Sequence, residues 1–371
     1  MKSIRSVVIV CSALFMHAWA ASVAQAQFSA PLSPKSALNS NAAADVGGDK
    51  SASLAATPSG TVIVVWDSDE NINNAIGTDR DILLVRSTNG GQSWTAPTRL
   101  NTDANTDDPS DQDTAPQIAT DNLGHWVVVW VADRASPRGP RDLDIRASTS
   151  LDDGVTWSTP VAVNANTQTD QGTDDSPTIA TDAAGNWIVV WRTLDSQQGA
   201  IGTDGDLLFA KSINNGATWT TQQILNTNAG SDSGSDSKPA ISADHAGNWI
   251  VAWRSTDSLS GTIGTDADIL FARSVNAGAS WSAPAALNSN AASDGSGADD
   301  LPRLVVTSNG NFVAVWSSTS SLGGTIGTDE DILFARSSNG GVNWSAPAAL
   351  NSTAVSDGTS TDREADISCN G

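Results

Sequence analysis

Asp-x-Asp recurs five times in this chain, at Asp79/Asp81, Asp142/Asp144, Asp204/Asp206, Asp266/Asp268 and Asp329/Asp331. Carboxylates are hard oxygen donors, and pairs at this density suit Ca²⁺, although no EF-hand loop accompanies them. The competing reading is that they cap turns or meet nearby arginines. Arg192, Arg254 and Arg303 offer a second chemistry, because an arginine grips a carboxylate bidentately. Paired with adjacent aspartates instead, they would be structural. Covalent chemistry has little to work with: there is no Tyr, and the histidines are His17, His125 and His245. No Ser-His-Asp or Cys-His set can be assembled from these. Two carboxylates could still serve as acid and base in a glycosidase, but 41 acidic residues do not single out a pair.

These groups are spaced by a repeat. STNGGQSW (87–94), SLDDGVTW (150–157), SINNGATW (212–219), SVNAGASW (274–281) and SSNGGVNW (337–344) place Trp94, Trp157, Trp219, Trp281 and Trp344 at intervals of 63, 62, 62 and 63 residues. So steady a period marks a repeat architecture. The third position (Asn89, Asp152, Asn214, Asn276, Asn339) can fold its side chain onto backbone N–H groups two residues on. The following glycine reaches positive φ without a Cβ clash. The closing Trp is large enough to clamp the turn against a neighbouring sheet.

Each unit offers four strands. The first is short and small-sided, as in PQIATD, PTIATD and PAISAD; the second is apolar on both faces, as in NWIVVW and NWIVAW. The third is of DILFARS type, and the fourth starts at the motif Trp and ends in L-N or V-N. Four antiparallel strands repeated radially make a propeller blade. Alternating strand direction then puts the tight turns and Trp motifs on one face and every long polar loop on the other, the usual place for binding. Both mature histidines fall on the tight-turn face. All 13 tryptophans beyond Trp19 occupy a repeat slot, which favours packing over sugar recognition. The set ending the second strand (Trp66, Trp130, Trp191, Trp253, Trp316) lies nearest the long loops and is the one to test for glycan stacking.

The five motifs resemble the Asp-box, or bacterial neuraminidase repeat, of sialidases. The stretch 150–157 matches S-x-D-x-G-x-T-W at every fixed position, and the other four carry Asn for Asp. The resemblance covers nearly the whole chain beyond residue 26 and implies an all-β, sialidase-like β-propeller with its boxes away from the catalytic face. Five repeats are complete. Residues 28–39 resemble a lone fourth strand and residues 363–368 a first strand, so a six-position ring with an incomplete sixth blade is expected. For a catalytic member the resemblance implies a Tyr nucleophile paired with Glu, an Asp acid/base and three Arg on the substrate carboxylate. This chain lacks the Tyr and the R-I-P motif; Leu301-Pro302-Arg303-Leu304 has those residues in another order. One loop breaks the repeat, the basic ASPRGPR at 135–141.

Residues 1–26 read as a signal peptide: Lys2 and Arg5, an apolar run, then Ala24-Gln25-Ala26 as a cleavage site. Cleavage would leave residues 27–371 as the propeller, secreted or periplasmic, with Cys369 as the only cysteine. It would also move the net charge from −22 to −24, which disfavours nucleic acid and anionic membranes as partners. The sequence therefore points to an exported module that binds glycans or extracellular proteins. An exo-sialidase or other glycoside hydrolase with substituted residues is the alternative.

Overall fold

The structure is a computed structural model describing residues 8–11, 38, 47–72, 76–77, 79–104, 110–134, 142–166, 172–244, 246–356, 358 and 360–369. Five four-stranded antiparallel sheets follow one another along the chain, spanning 50–99, 112–162, 174–224, 236–286 and 299–349. Strand order within each sheet is chain order, so every sheet is a meander. These are blades one to five of a sialidase-like propeller. In blade three the strands are Asp174–Thr181, Trp187–Thr193, Asp206–Ser212 and Gln223–Ile224.

The second and third strands of each blade form the core, because their side chains are apolar on both faces. Trp187–Trp191 and Trp249–Trp253 are fully buried from end to end. The clusters they build run between blades: one joins Val127, Val129 and Val131 of blade two to Trp187, Val189 and Trp191 of blade three. The Trp ring considered for glycan stacking is therefore closed to ligand, with Trp130, Trp191, Trp253 and Trp316 at 0% exposure and Trp66 at 6%.

The Asp-boxes lock each blade onto its predecessor. In the second box Ser150 Oγ donates to Asp152 Oδ1 and accepts from the Gly154 N–H, and Asp152 accepts from the Thr156 N–H at 2.9 Å. The box carboxylate thus reaches the amide four residues on, not two, because the serine hydroxyl already holds the nearer one. Asn89, Asn214, Asn276 and Asn339 do the same for residues 93, 218, 280 and 343. Asp153 meets Thr61 at 2.7 Å and Arg86 at 2.8 Å, both on blade one. Lys211 and Arg273 likewise donate to the next box's backbone, at the Ala277 and Gly340 carbonyls. Trp281 and Trp344 pack edge-on against Phe209 and Phe271 of the preceding blade, each at 5.8 Å.

A sixth position is partly built. Asp366–Cys369 continues the ring of first strands next to blade five, as expected. Its partner is Val8–Cys11, in parallel, rather than the stretch near residue 30. Residues 28–37 and 39 lie outside the described residues, as does most of the expected leader and the whole of the 135–141 loop. Among the described residues no helix is long and apolar enough to cross a membrane.

Candidate functional site

The Asp-x-Asp pairs stand at the long-loop face, where the second aspartate opens the third strand in four blades and the first, Asp142, opens it in blade two. An asparagine from the end of the fourth strand holds the second aspartate. Asn226 donates through Nδ2 to Asp206 and to Asp236, both at 2.8 Å, and its Oδ1 accepts the Leu207 N–H at 3.0 Å. Asp236 begins the first strand of the next blade, so one amide ties three segments across a seam. The arrangement repeats as Asp81–Asn101–Asp113, Asp144–Asn164–Asp174, Asp268–Asn288–Asp299 and Asp331–Asn351–Asp362. Asp81, Asp144, Asp206, Asp268 and Asp331 are therefore seam residues, with one oxygen committed to structure.

Burial pushes Asp206 and Asp268 up to about 7; the Asn226 and Asn288 amides oppose this, while neighbouring carboxylates reinforce it. Burial raises Asp144 to about 6, against the Asn164 amide, and raises Asp113 to about 6, against Arg134 at 2.8 Å. Two clusters add a third carboxylate: one oxygen each from Asp204, Asp206 and Asp232 lies within 4.8 Å of the others, as do those of Asp266, Asp268 and Asp294. The third member escaped the sequence reading. Its signal is an aspartate six residues after the strand-four asparagine in all five units (Asp107, Asp170, Asp232, Asp294, Asp357), three of which lie outside the described residues.

At the axis the first strands converge on a cavity of about 190 Å³ lined by Ala115, Gln117, Ser176, Thr178, Lys238 and Arg303, among others. Every first strand carries a bulge at its long-loop end; in blade three, for example, the register slips between Asp175 and Thr178. The bulged residues Ala115, Ser176, Lys238 and Leu301 take φ of 53 to 54°. Strained non-glycine backbone of this kind gathers at binding sites, and the proline that follows each one has no N–H to lose at an unpaired position.

The positions before each bulge are where the blades differ. Their register pairs are Lys50/Asp67, Thr114/Val131, Asp175/Arg192, Ser237/Arg254 and Asp300/Ser317. Repeat symmetry is broken here, at the mouth of the axis. Arg192 lies 3.5 Å from Asp175, and Arg254 lies 3.7 Å from Asp300, which also takes Lys238 at 2.7 Å. Two of the three candidate arginines thus meet rim aspartates. Arg303 is exposed and donates a 3.1 Å hydrogen bond to the Pro302 carbonyl. His125 pairs with Asp121 at 2.6 Å in a tight turn on the opposite face; His245 is outside the described residues. Lys238, Asp175, Asp300 and Gln117 were not singled out from sequence, and slot-by-slot disagreement among the units would have found them.

Residues 60–354 match the BNR repeat-like domain. The chain belongs to that family. No curated protein matches the sequence. Among solved structures, this BNR repeat-like chain is similar to a protein of unknown function from Dyadobacter fermentans, at 12% identity and TM-score 0.51, over 73% of this chain and 75% of that one. It is also similar to the leech intramolecular trans-sialidase, at 12% identity and TM-score 0.51, over 82% and 61%. A Hadza microbial sialidase aligns at 16% identity and TM-score 0.49, over 82% and 58%. The chain spans under two thirds of either sialidase. These likenesses concern the fold.

Proposed function

We propose that this BNR repeat-like propeller is an exported glycan-binding module that receives the carboxylate-bearing end of an acidic glycan at the long-loop mouth of its axis. The observation that carries this reading is the axial cavity. Arg303 brings a cation to a single small space in a protein of net charge −22, beside Lys238, whose ammonium is shared with Asp300 at 2.7 Å. Gln117, Ser176 and Thr178 add neutral hydrogen-bonding groups of the kind sugars need. A volume of about 190 Å³ sits below the roughly 300–1,000 Å³ of drug-sized sites, which suits one terminal residue rather than a chain segment. Arg192 and Arg254, already held by Asp175 and Asp300, would shape the rim. The leech structure was solved with 2,7-anhydro-Neu5Ac, an acidic sugar, on a similar fold.

Hydrolysis by the route implied for sialidases lacks its nucleophile, since the chain contains no Tyr. The test is to present the folded protein, secreted from its natural leader, with matched acidic and neutral glycans and with a fluorogenic sialoside. Export predicts a mature N-terminus near Gln27, and with it the loss of the Val8–Cys11 strand that pairs with Asp366–Cys369. Binding predicts retention of the acidic glycans alone and no release of sialic acid. Turnover by the folded chain would replace the binding reading with a hydrolase, and retention of neutral glycans alone would remove the cationic cavity from the account.

A further inference from the structure

We infer that the seams following blades three and four each hold a divalent cation of the calcium class, bound by Asp204, Asp206 and Asp232 in the first and by Asp266, Asp268 and Asp294 in the second. Three observations converge on each place. The carboxylate oxygens stand within 4.8 Å of one another, the span across a shell with metal–oxygen distances of about 2.4 Å. Asp206 and Asp268 are 0% and 1% exposed, and the Oδ2 of each has no hydrogen-bond donor, its Oδ1 being taken by the seam asparagine. The same holds for Asp204 Oδ2, Asp232 Oδ1, Asp266 Oδ2 and Asp294 Oδ1, and for the neutral carbonyl oxygens of Asn228 and Asn290. Oxygen acceptors gathered without donors are what a cation satisfies.

Among the described residues nothing cationic does so. The charged groups bearing on Asp206 are Asp204 and Asp232, and those bearing on Asp268 are Asp266 and Asp294. Blade two differs, because Arg134 and Arg146 reach Asp113 and Asp103 there. Calcium fits better than magnesium, which demands near-octahedral geometry and keeps several waters. The Gly202 and Gly264 N–H groups bond the Ala229 and Ala291 carbonyls, so the two loops supplying the ligands are already tied. A bound ion would fix the link that delivers the next blade's first strand to the axis.

The test uses the whole chain, stripped with a chelator and returned to buffer at constant ionic strength. Equilibrium dialysis should find at least two Ca²⁺ per chain in the presence of excess Mg²⁺. Calorimetry should show Tm rising by about 5 °C or more at saturating Ca²⁺. Asp232→Asn keeps an acceptor for Asn228 and should lose one ion and about half the shift; adding Asp294→Asn should lose both. Asp366→Asn, on the exposed C-terminal strand, should change neither. A wild-type count below two, or a shift reproduced by NaCl or MgCl₂ at equal ionic strength, overturns the inference. So does an unchanged count in a folded Asp232→Asn protein. The dialysis count on the wild type decides even where a variant does not fold.

Discussion

Asn226 shows how much a single side chain carries in this fold. Its amide donates to two buried carboxylates and its carbonyl accepts a backbone N–H, so every bond it makes serves a group that burial would otherwise strand. A buried hydrogen bond contributes about 0.5–1.5 kcal/mol net, and each buried partner orphaned by its loss costs about 1–3 kcal/mol. Asn226→Ala should therefore cost about 3–5 kcal/mol, read as a lower urea midpoint at unchanged slope. A loss under about 1 kcal/mol would show that the seam holds without it. The sequence displayed this residue only as the end of an L-N pair. Its role depends on a partner ten residues ahead and another twenty behind, brought together by a blade boundary that no local pattern encodes. The rim arginines show the opposite case, since pairing with neighbouring aspartates was readable from acidic composition. Arg303 was legible as a candidate, but Lys238 was not, because its importance comes from a bulge that turns it into the axis.

At the scale of the element, the Asp-box glycine is constrained twice. Gly341 has φ of +81°, and a Cβ there would stand 2.0 Å from Ile250 Cδ1 of the preceding blade. Gly310, in a tight turn with φ of +74°, has open space around the same point. Gly310→Ala should cost about 1 kcal/mol for the backbone alone. Gly341→Ala should cost about 2–4 kcal/mol through added overpacking. Ile250→Val, which removes the clashing methyl, should recover part of that loss in a double-mutant cycle. Additive losses would mean that the box does not press on its neighbour. The box was the most legible feature of the chain, because its residues act within eight positions. Its interlocking with the previous blade was not visible, since that contact joins residues about 90 positions apart, as in Thr61 and Asp153.

For the whole molecule, the balance of acid is the dominant quantity. Asp206 and Asp268 stand near 7 in the fold, and Asp113, Asp144 and Asp232 near 6, against about 3.9 for a free aspartate. A carboxylate raised by folding stabilises fully below its unfolded value and loses that contribution as pH climbs through the folded one. Asp152, held near 2 by its box hydrogen bonds, acts in the opposite sense and only below about 4. Metal-free protein should therefore show Tm falling between pH 5 and pH 8, with saturating Ca²⁺ flattening the decline; a metal-free Tm that rises over this range contradicts the assignment. Five blades and their faces followed from the repeat period. The sixth position did not, because strand pairing there joins residues more than 350 apart.

The account turns on the axial cavity, and one titration addresses it directly: binding of a terminal sialoside to the folded wild type and to the Lys238→Ala/Arg303→Ala double variant, with Tm recorded for both. We predict saturable binding by the wild type and a loss of at least tenfold in affinity in the variant, with Tm changed little because both side chains lie at the mouth. Equal binding by the two proteins, or none by a wild type shown to be folded, would contradict the placement of an acidic glycan at this axis.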